Sequence, residues 1–240
     1  MSAPDFTIPE SDGLQVKKLG EGLWAIEEGM VRCYLVAGSE RAVIIDCCME
    51  VSNAVADVAH GLTDKPITLV LTHGDPDHTG GQDGFDAPML HPSEFGHYYS
   101  RGNTGHAIRP LWEGDVFDLG GRSLEVVLIP GHTPGSVAYL DRAHKRIFVG
   151  DSVSDYWIFL FGPGRDAQAL IESLKKLQGR ADSFETVHPC HGSAELGNEW
   201  IGKTITATEK LLAGELVGAQ PPRSEMPCKA YSYEGVTLMY

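Results

Sequence analysis

Residues 70–81 read Val70-Leu71-Thr72-His73-Gly74-Asp75-Pro76-Asp77-His78-Thr79-Gly80-Gly81. This stretch places four side chains of metal-binding type directly after an apolar run: His73, Asp75, Asp77 and His78. Imidazole and carboxylate groups clustered at the end of a strand can hold zinc, iron or manganese. Taken alone, the stretch is also compatible with a polar turn of solvated acids and a helix cap.

Three later segments put a residue of ligand type at a similar junction between an apolar run and a loop. His132 lies in Gly131-His132-Thr133-Pro134-Gly135-Ser136, Asp151 follows Phe148-Val149-Gly150, and His191 precedes Gly192. The spacings are 54 residues from His78 to His132, 19 to Asp151 and 40 to His191. This repetition favours a metal centre over a solvated turn.

With these segments, the chain resembles the metallo-β-lactamase superfamily, whose signature is a His-x-His-x-Asp-His loop followed by a lone His, a bridging Asp and a last His. The resemblance extends from about residue 22 to residue 212. It implies an α/β fold of the four-layer αββα type, with two mixed β-sheets flanked by helices. It also implies two metal sites, the first formed by His73, Asp75 and His132 and the second by Asp77, His78 and His191. Asp151 would bridge the two sites, and Asp46 would orient a ligand.

The chain departs from the signature at Asp75, which stands where the family has its second His. A carboxylate makes the first site more anionic and shifts its preference from zinc toward iron or manganese. We expect two divalent metal ions, zinc first, with iron and manganese as alternatives. A weakened first site that leaves only the second ion is a further outcome of this replacement.

The resemblance implies a metal-dependent hydrolase that uses a metal-activated water on a small ester, lactone or thioester. Asp77 is the expected catalytic residue, because a carboxylate near that water can accept its proton and return one to the leaving group. Three alternatives stay open. They are an iron-dependent, dioxygenase-like oxidoreductase of the same fold, a small phosphodiesterase, and a binding module with a weakened site.

The charge and composition of the chain limit the classes of partner that it can bind. The chain has 19 basic and 33 acidic residues and a net charge of −14, which repels a nucleic-acid backbone. No apolar run approaches the ~20 residues of a membrane span, and residues 1–13 lack the pattern of a secretory signal. Five irregularly spaced cysteines indicate a reduced protein. We expect a cytoplasmic protein with a small-molecule substrate, without nucleic-acid or membrane partners, and a homodimer as its assembly.

The hydrophobic pattern predicts a single domain over residues 1–240. Short apolar runs predict strands at 22–26, 33–37, 42–45, 67–71, 124–129, 136–140, 146–149 and 184–187. Helical spacing predicts helices at 51–62, 167–177 and about 193–216. Residues 231–240 are predicted as a late strand or hairpin arm, and residues 83–115 as long functional loops.

The candidates for the substrate pocket are Tyr156, Trp157, Trp112 and Cys190. The aromatic residues could form an apolar wall, with ordinary packing as the alternative. Cys190 could reach the metal as a thiolate, although a buried cysteine is the simpler interpretation. The candidates for an anion clamp are Arg101, Arg109 and Arg165, and four histidines are predicted to lie outside the site: His91, His97, His106 and His188.

Overall fold

A computed structural model describes residues 13–50, 52–223 and 225–240. The first sheet has seven strands in chain order: β1 (Leu14–Gly20), β2 (Leu23–Glu28), β3 (Val31–Ala37), β4 (Ala42–Ile45), β5 (Ile67–Val70), β6 (Met89–Leu90) and β7 (Arg109–Pro110). Strands β1 to β4 pair antiparallel, and β4 to β7 pair parallel. The sheet is therefore mixed.

The second sheet contains β8 (Val116–Asp118), β9 (Ser123–Leu128), β10 (Val137–Asp141), β11 (Arg146–Gly150), β13 (Thr186–Pro189) and β14 (Leu196–Gly197). Its only described parallel pair is β11 with β13. A third, small sheet contains β12 (Trp157–Phe159), β15 (Ala230–Tyr233) and β16 (Val236–Met239). The helices are α1 (Ala54–Leu62), α2 (Pro76–Thr79), α3 (Phe95–Ser100), α4 (Ala167–Gln178) and α5 (Glu199–Leu212).

The two large sheets share one core and helices cover their outer faces. Tyr34 and Ile44 of the first sheet are buried in one cluster with Tyr139 and Phe148 of the second. Val55 of α1 packs against the same cluster. The opposite face of the second sheet packs in a separate cluster with α4 and α5. These clusters give the layer order helix, sheet, sheet, helix, which burying one apolar face of each element requires.

Most predicted strands and helices are confirmed, with four corrections. The last helix is shorter than 193–216, because Leu196–Gly197 pairs with β13 as a strand and Gly214 leaves the helix with a φ of +70°. Residues 83–115 contain α3, β6 and β7 as well as loops. Strand β1 and the third sheet were not predicted, although the tail does form the hairpin β15–β16.

The predicted first helix begins at Ala54, and its expected first residue, Val51, lies outside the described residues, as do residues 1–12. No described helix is both long and apolar enough to cross a bilayer.

The fold gathers the predicted ligand segments at one edge. Parallel strands β4 and β5 end side by side, and Asp46 and the loop after Leu71 follow them. Parallel strands β11 and β13 likewise end together, followed by Asp151 and His191. Because carboxyl ends of parallel neighbours meet at one edge of a sheet, side chains far apart in sequence converge there.

Candidate metal centre

The first group of converging side chains contains His73, His132 and Asp75. The Nε2 atoms of the two histidines are 3.2 Å apart. Oδ2 of Asp75 lies 3.4 Å from each of them. All three side chains are buried or nearly so.

The second group contains Asp77, His78, Asp151 and His191, each of which offers one ligand atom within 4.8 Å of the others. His191 Nε2 lies 3.2 Å from Asp77 Oδ2 and 3.3 Å from Asp151 Oδ2. His78 Nε2 lies 3.3 Å from Asp151 Oδ1. The other Asp151 oxygen lies 3.7 Å from His132 in the first group, so this carboxylate lies between the two groups.

These spacings fit metal ions. Four ligands at about 2.0–2.1 Å from a tetrahedral zinc ion lie about 3.3–3.4 Å from one another, which matches most of the distances above. His78 Nε2 and Asp151 Oδ1 are buried without a hydrogen bond among the described residues. A buried polar atom without a partner is costly, so a cation between them would satisfy both.

The ring orientation of each histidine also suits metal binding. Nδ1 faces an oxygen of the protein at 2.9 Å in His73 (Thr72 Oγ1), 3.0 Å in His78 (Asp46 Oδ2), 2.9 Å in His132 (Phe159 O) and 2.8 Å in His191 (Met30 O). Each Nδ1 is therefore directed at an acceptor, and Nε2 is directed toward the centre. This orientation makes Nε2 the nitrogen that would bind a metal in all four rings.

Asp46 supports one histidine of each group through hydrogen bonds. Its Oδ2 accepts hydrogen bonds from His78 Nδ1 at 3.0 Å and from Thr72 Oγ1 at 2.8 Å. Because the Thr72 hydroxyl hydrogen goes to Asp46, that oxygen can accept from His73. Asp46 has a φ of +63°, a left-handed conformation that is unusual for a residue with a side chain.

Asp75 has two partners besides the histidines of its group. His97 Nε2 on α3 lies 2.6 Å from Oδ1, and Arg165 Nη2 lies 2.7 Å from Oδ2. Arg165 Nη1 also lies 2.9 Å from His132 Nε2 and donates to the His132 carbonyl oxygen at 2.7 Å. The chain thus places a guanidinium and an imidazole against the carboxylate that replaces the signature histidine.

Glu94 joins the two loops that carry the first group. Its buried carboxylate accepts from the Gly74 N–H at 3.0 Å and from the Gly135 N–H at 2.7 Å. Glu94 was not among the predicted site residues, and His97 was predicted to lie outside the site. Both act through contacts with residues distant in sequence, which no local spacing could indicate.

The electrostatics of the centre favour cations. The centre contains four carboxylates and the guanidinium of Arg165. The carboxylates are those of Asp46, Asp75, Asp77 and Asp151. Burial alone would raise the pKa of Asp77, but His78 and His191 lower it to about 2. Burial likewise opposes protonation of His191, but Asp151 and Asp77 raise its pKa to about 10. The site therefore strongly attracts positive charge.

His132 behaves differently. Its burial and the adjacent Arg165 guanidinium lower the pKa of His132. The imidazole is therefore neutral at physiological pH, which is the form that binds metals.

A cavity of about 500 Å³ adjoins the first group and is lined by His97, Ser100, Arg101, Phe159, Phe161, Gly162, Pro163 and Arg165. None of the four predicted pocket residues is in this lining. Cys190 is buried, and its Sγ donates to Asp46 at 3.2 Å and lies within 4.8 Å of ligand-type atoms of Asp46 and His78.

The three aromatic candidates lie elsewhere. Trp157 is buried under Tyr156, whose ring stacks on it at 4.4 Å. The Tyr156 ring also lies 6.3 Å from that of His191. Trp112 is 53% exposed and packs against His91. Tyr156 is therefore a pocket candidate with a described ring contact to a predicted ligand.

The structure places the other histidines that were predicted to lie outside the site away from the two ligand groups. His188 is buried between Tyr34 and Phe148. His106 pairs with Asp83 at 2.9 Å. The interpretation of His191 rather than His188 as the last ligand agrees with this placement.

A family model described as the metallo-beta-lactamase superfamily matches residues 26–191, which include all the converging side chains. The chain belongs to this superfamily. The predicted αββα fold class, with two mixed sheets and flanking helices, is confirmed by solved members. The metallo-beta-lactamase FIM-1 from Pseudomonas aeruginosa, in its mono-zinc form, superposes with a TM-score of 0.71 at 17% identity and covers 85% of this chain and 99% of its own. A metallo-beta-lactamase from Pontibacter korlensis gives a TM-score of 0.67 at 20% identity, over 82% of this chain and 99% of its own.

Curated relatives are more similar in sequence. An acyl-coenzyme A thioesterase, MBLAC2 of Gallus gallus, is 28% identical over 220 residues, which cover 73% of this chain and 79% of the relative. A hydroxyacylglutathione hydrolase of Anaeromyxobacter dehalogenans is 33% identical over 67% of this chain and 61% of its own length. An atrochrysone carboxyl ACP thioesterase, AgnL7 of Paecilomyces divaricatus, is 27% identical over 82% and 63%. The chain thus spans less than two thirds of the last two relatives.

Proposed function

We propose that this protein is a metal-dependent hydrolase that cleaves a small thioester. The observation that carries the proposal is the pair of adjoining ligand groups with metal-like spacing, joined by Asp151. The relatives named as thioesterases and as a hydroxyacylglutathione hydrolase direct the choice of bond, because the substrates in all three names are thioesters.

We propose two divalent ions, with zinc as the first candidate. His73, Asp75 and His132 would hold one ion, and Asp77, His78 and His191 the other, with Asp151 shared. With neutral histidines, the four carboxylates and Arg165 leave a net charge of −3, which exceeds what a single divalent ion neutralises. When bound, two such ions lower the pKa of a water between them and polarise a carbonyl oxygen.

Asp77 is the proposed proton carrier. Its side chain is 33% exposed, the most open of the carboxylates in the centre, and its Oδ2 lies 3.2 Å from His191. A pKa of about 2 keeps it ionised at neutral pH, so it can accept a proton from water. It would then return this proton to the leaving group, although a thiolate needs less protonation than an alkoxide.

The centre alone does not choose the bond that is broken. Esters, lactones and small phosphodiesters can use the same ions, and iron at the Asp75 site would favour oxygen chemistry. The thioester is preferred because of the relatives' names. The expected cytoplasmic location, the absence of nucleic-acid or membrane partners and the homodimer remain proposals from the sequence.

The test begins with elemental analysis of protein purified without added metal. The zinc-loaded protein is then given one acyl group as its thioester, its oxygen ester and its lactone, alongside a chromogenic phosphodiester. We expect about two equivalents of metal and a kcat/KM for the thioester at least about tenfold above the others. Iron as the native metal, with oxygen consumption in place of hydrolysis, would overturn the proposal.

Thiol release can be followed with a disulfide reagent. Four of the five cysteines are buried and only Cys228 is partly accessible, so background reaction is small in the folded protein. Removal of metal with a chelator should abolish release, and zinc should restore it.

A further inference from the structure

We infer that Arg101 binds an anionic group of the substrate, at the outer part of the cavity beside the first ligand group. The inference rests on the proposed function and deepens it, because it defines the substrate class as a thioester that carries a carboxylate or phosphate.

The cavity adjoins the first ligand group. Two of its lining residues, His97 and Arg165, contact Asp75 at 2.6 Å and 2.7 Å respectively. Phe159 also lines it, and its carbonyl oxygen accepts from His132 Nδ1. No proposed ligand is among the lining residues, so the cavity lies next to the first ligand group and shares these three residues with it. Its volume of about 500 Å³ is within the range of ligand sites.

The lining of the cavity combines apolar and polar residues. The rings of Phe159 and Phe161 lie 5.8 Å apart at 60° and are half-buried. Ser100, the last residue of α3, and Arg101, which follows it, are polar members of the same lining. Such a site suits a chain with an apolar segment and a charged group.

Arg101 is a cation without a protein partner. Most arginines of this acidic chain form ion pairs: Arg32 with Glu27, Arg122 with Asp141, Arg142 with Glu125, Arg146 with Glu195, Arg165 with Asp75 and Arg180 with Glu125. Arg101 forms no ion pair with any described carboxylate and is exposed. A guanidinium without a carboxylate partner in the lining of the cavity can form charge-assisted hydrogen bonds with an anionic group of a substrate.

Arg101 also extends the site beyond the first cavity. It lines a neighbouring cavity of about 300 Å³, together with residues that include Met49, Gln82 and Asn103. The two cavities therefore meet at this one side chain. An elongated substrate could pass along Arg101, with its thioester toward Asp75 and its anionic group on the guanidinium.

The kinetic test compares three thioesters. Acetyl-coenzyme A carries phosphates on the thiol side, S-succinyl-N-acetylcysteamine carries a carboxylate on the acyl side, and S-acetyl-N-acetylcysteamine is uncharged. We expect Arg101→Gln to lower kcat/KM for one of the anionic thioesters at least about tenfold more than for the uncharged one, since charge-assisted hydrogen bonds are the strong ones. The anionic thioester that is affected identifies the side of the substrate that carries the charge.

Arg109→Gln is the matched control. Arg109 is exposed and donates to the Ala87 carbonyl oxygen at 3.3 Å, outside the cavity. The substitution removes the same charge from the surface outside the cavity, so it should change kcat/KM for all three substrates equally and little.

A binding measurement separates this inference from the proposed function. Desulfo-coenzyme A has the phosphates but no thiol to bind a metal. If Arg101 binds the phosphates on the thiol side, the dissociation constant of this probe from the metal-loaded protein, measured by calorimetry, should rise about tenfold in Arg101→Gln and not in Arg109→Gln. Such a rise supports the anion site even where no thioester is hydrolysed. Equal dissociation constants in all three proteins, with uniform changes over the three thioesters, would overturn the inference.

Discussion

Nε2 of His97 lies 2.6 Å from Oδ1 of Asp75, and this contact joins α3 to the loop that carries Asp75. The contact fixes a carboxylate that stands where the superfamily signature has an imidazole. A carboxylate ligand can rotate and bind in several modes, so a donor on its second oxygen matters for the geometry of the first ligand group.

His97→Ala should therefore weaken the binding of one metal ion by about 10–100-fold, the usual effect of losing a group that orients a ligand. Equilibrium competition with a chelating dye measures this affinity. His106→Ala is the control, because His106 makes a similar pair with Asp83 at 2.9 Å but outside both ligand groups. Unchanged affinity in His97→Ala would mean that Asp75 needs no support from α3.

Asp77→Ala should lower kcat by about 10²–10⁴-fold at saturating metal, the usual contribution of a general base or acid. The measurement is the rate of thiol release, with bound metal determined in the same sample. Asp86→Ala removes an exposed aspartate nearby in sequence and should retain the wild-type rate. A metal-loaded Asp77→Ala protein with the wild-type rate would remove Asp77 from the reaction.

Gly150→Ala should destabilise the protein by at least about 2 kcal/mol. Gly150 has a φ of +55°, and a Cβ there would lie 2.7 Å from Thr72 Oγ1, directly before Asp151. Urea unfolding measures the loss. Gly61→Ala is the opposite case, because no atom lies within 4 Å of a Cβ there and the residue is in helix α1. It should raise the free energy of unfolding by up to about 1 kcal/mol, and a loss equal to that of Gly150→Ala would contradict this account.

His188 should make the fold sensitive to acid. Burial, helped by the charge of Arg146 and opposed by the hydrogen bond to the Ala194 carbonyl, lowers the pKa of His188 to about 3. The unfolded value is about 6.5. Because the folded pKa is the lower one, the stability from neutral His188 is fully present above about pH 6.5 and is lost as pH falls toward 3.

The free energy of unfolding should therefore fall between about pH 6 and pH 4 in both the wild type and His188→Gln, but more steeply in the wild type. The difference between the two slopes should be up to about 1.4 kcal/mol per pH unit. Urea unfolding at matched metal loading gives both slopes. His60→Gln, at an exposed histidine, should keep the wild-type slope. Parallel curves for wild type and His188→Gln would show that His188 does not contribute.

The convergence of the proposed ligands could be predicted from sequence because each follows an apolar run and matches a position of the superfamily signature. His132, Asp151 and His191 were selected by the apolar runs before them together with the resemblance to that signature. The edge at which they meet then follows from the parallel pairs β4–β5 and β11–β13.

The supporting residues could not be predicted in this way. Glu94 acts on Gly74 and Gly135, 20 and 41 residues away, and α3 is a short helix without an apolar stripe. Arg165 was only a candidate anion clamp, and its contact with Asp75 spans 90 residues. Strand β1 escaped prediction because four of its seven side chains are exposed, so no apolar run marks it.

The position of Asp46 between two ligand histidines has a consequence for how metal loads. The Asp46 carboxylate orients His78 directly and orients His73 through Thr72. When either imidazole ring becomes fixed, the Asp46 carboxylate that orients the other ring becomes fixed as well. An ion at one site therefore reduces the conformational entropy that the second ion has to overcome. We expect the sites to fill cooperatively, and by thermodynamic reciprocity each ion raises the affinity of the other by the same factor.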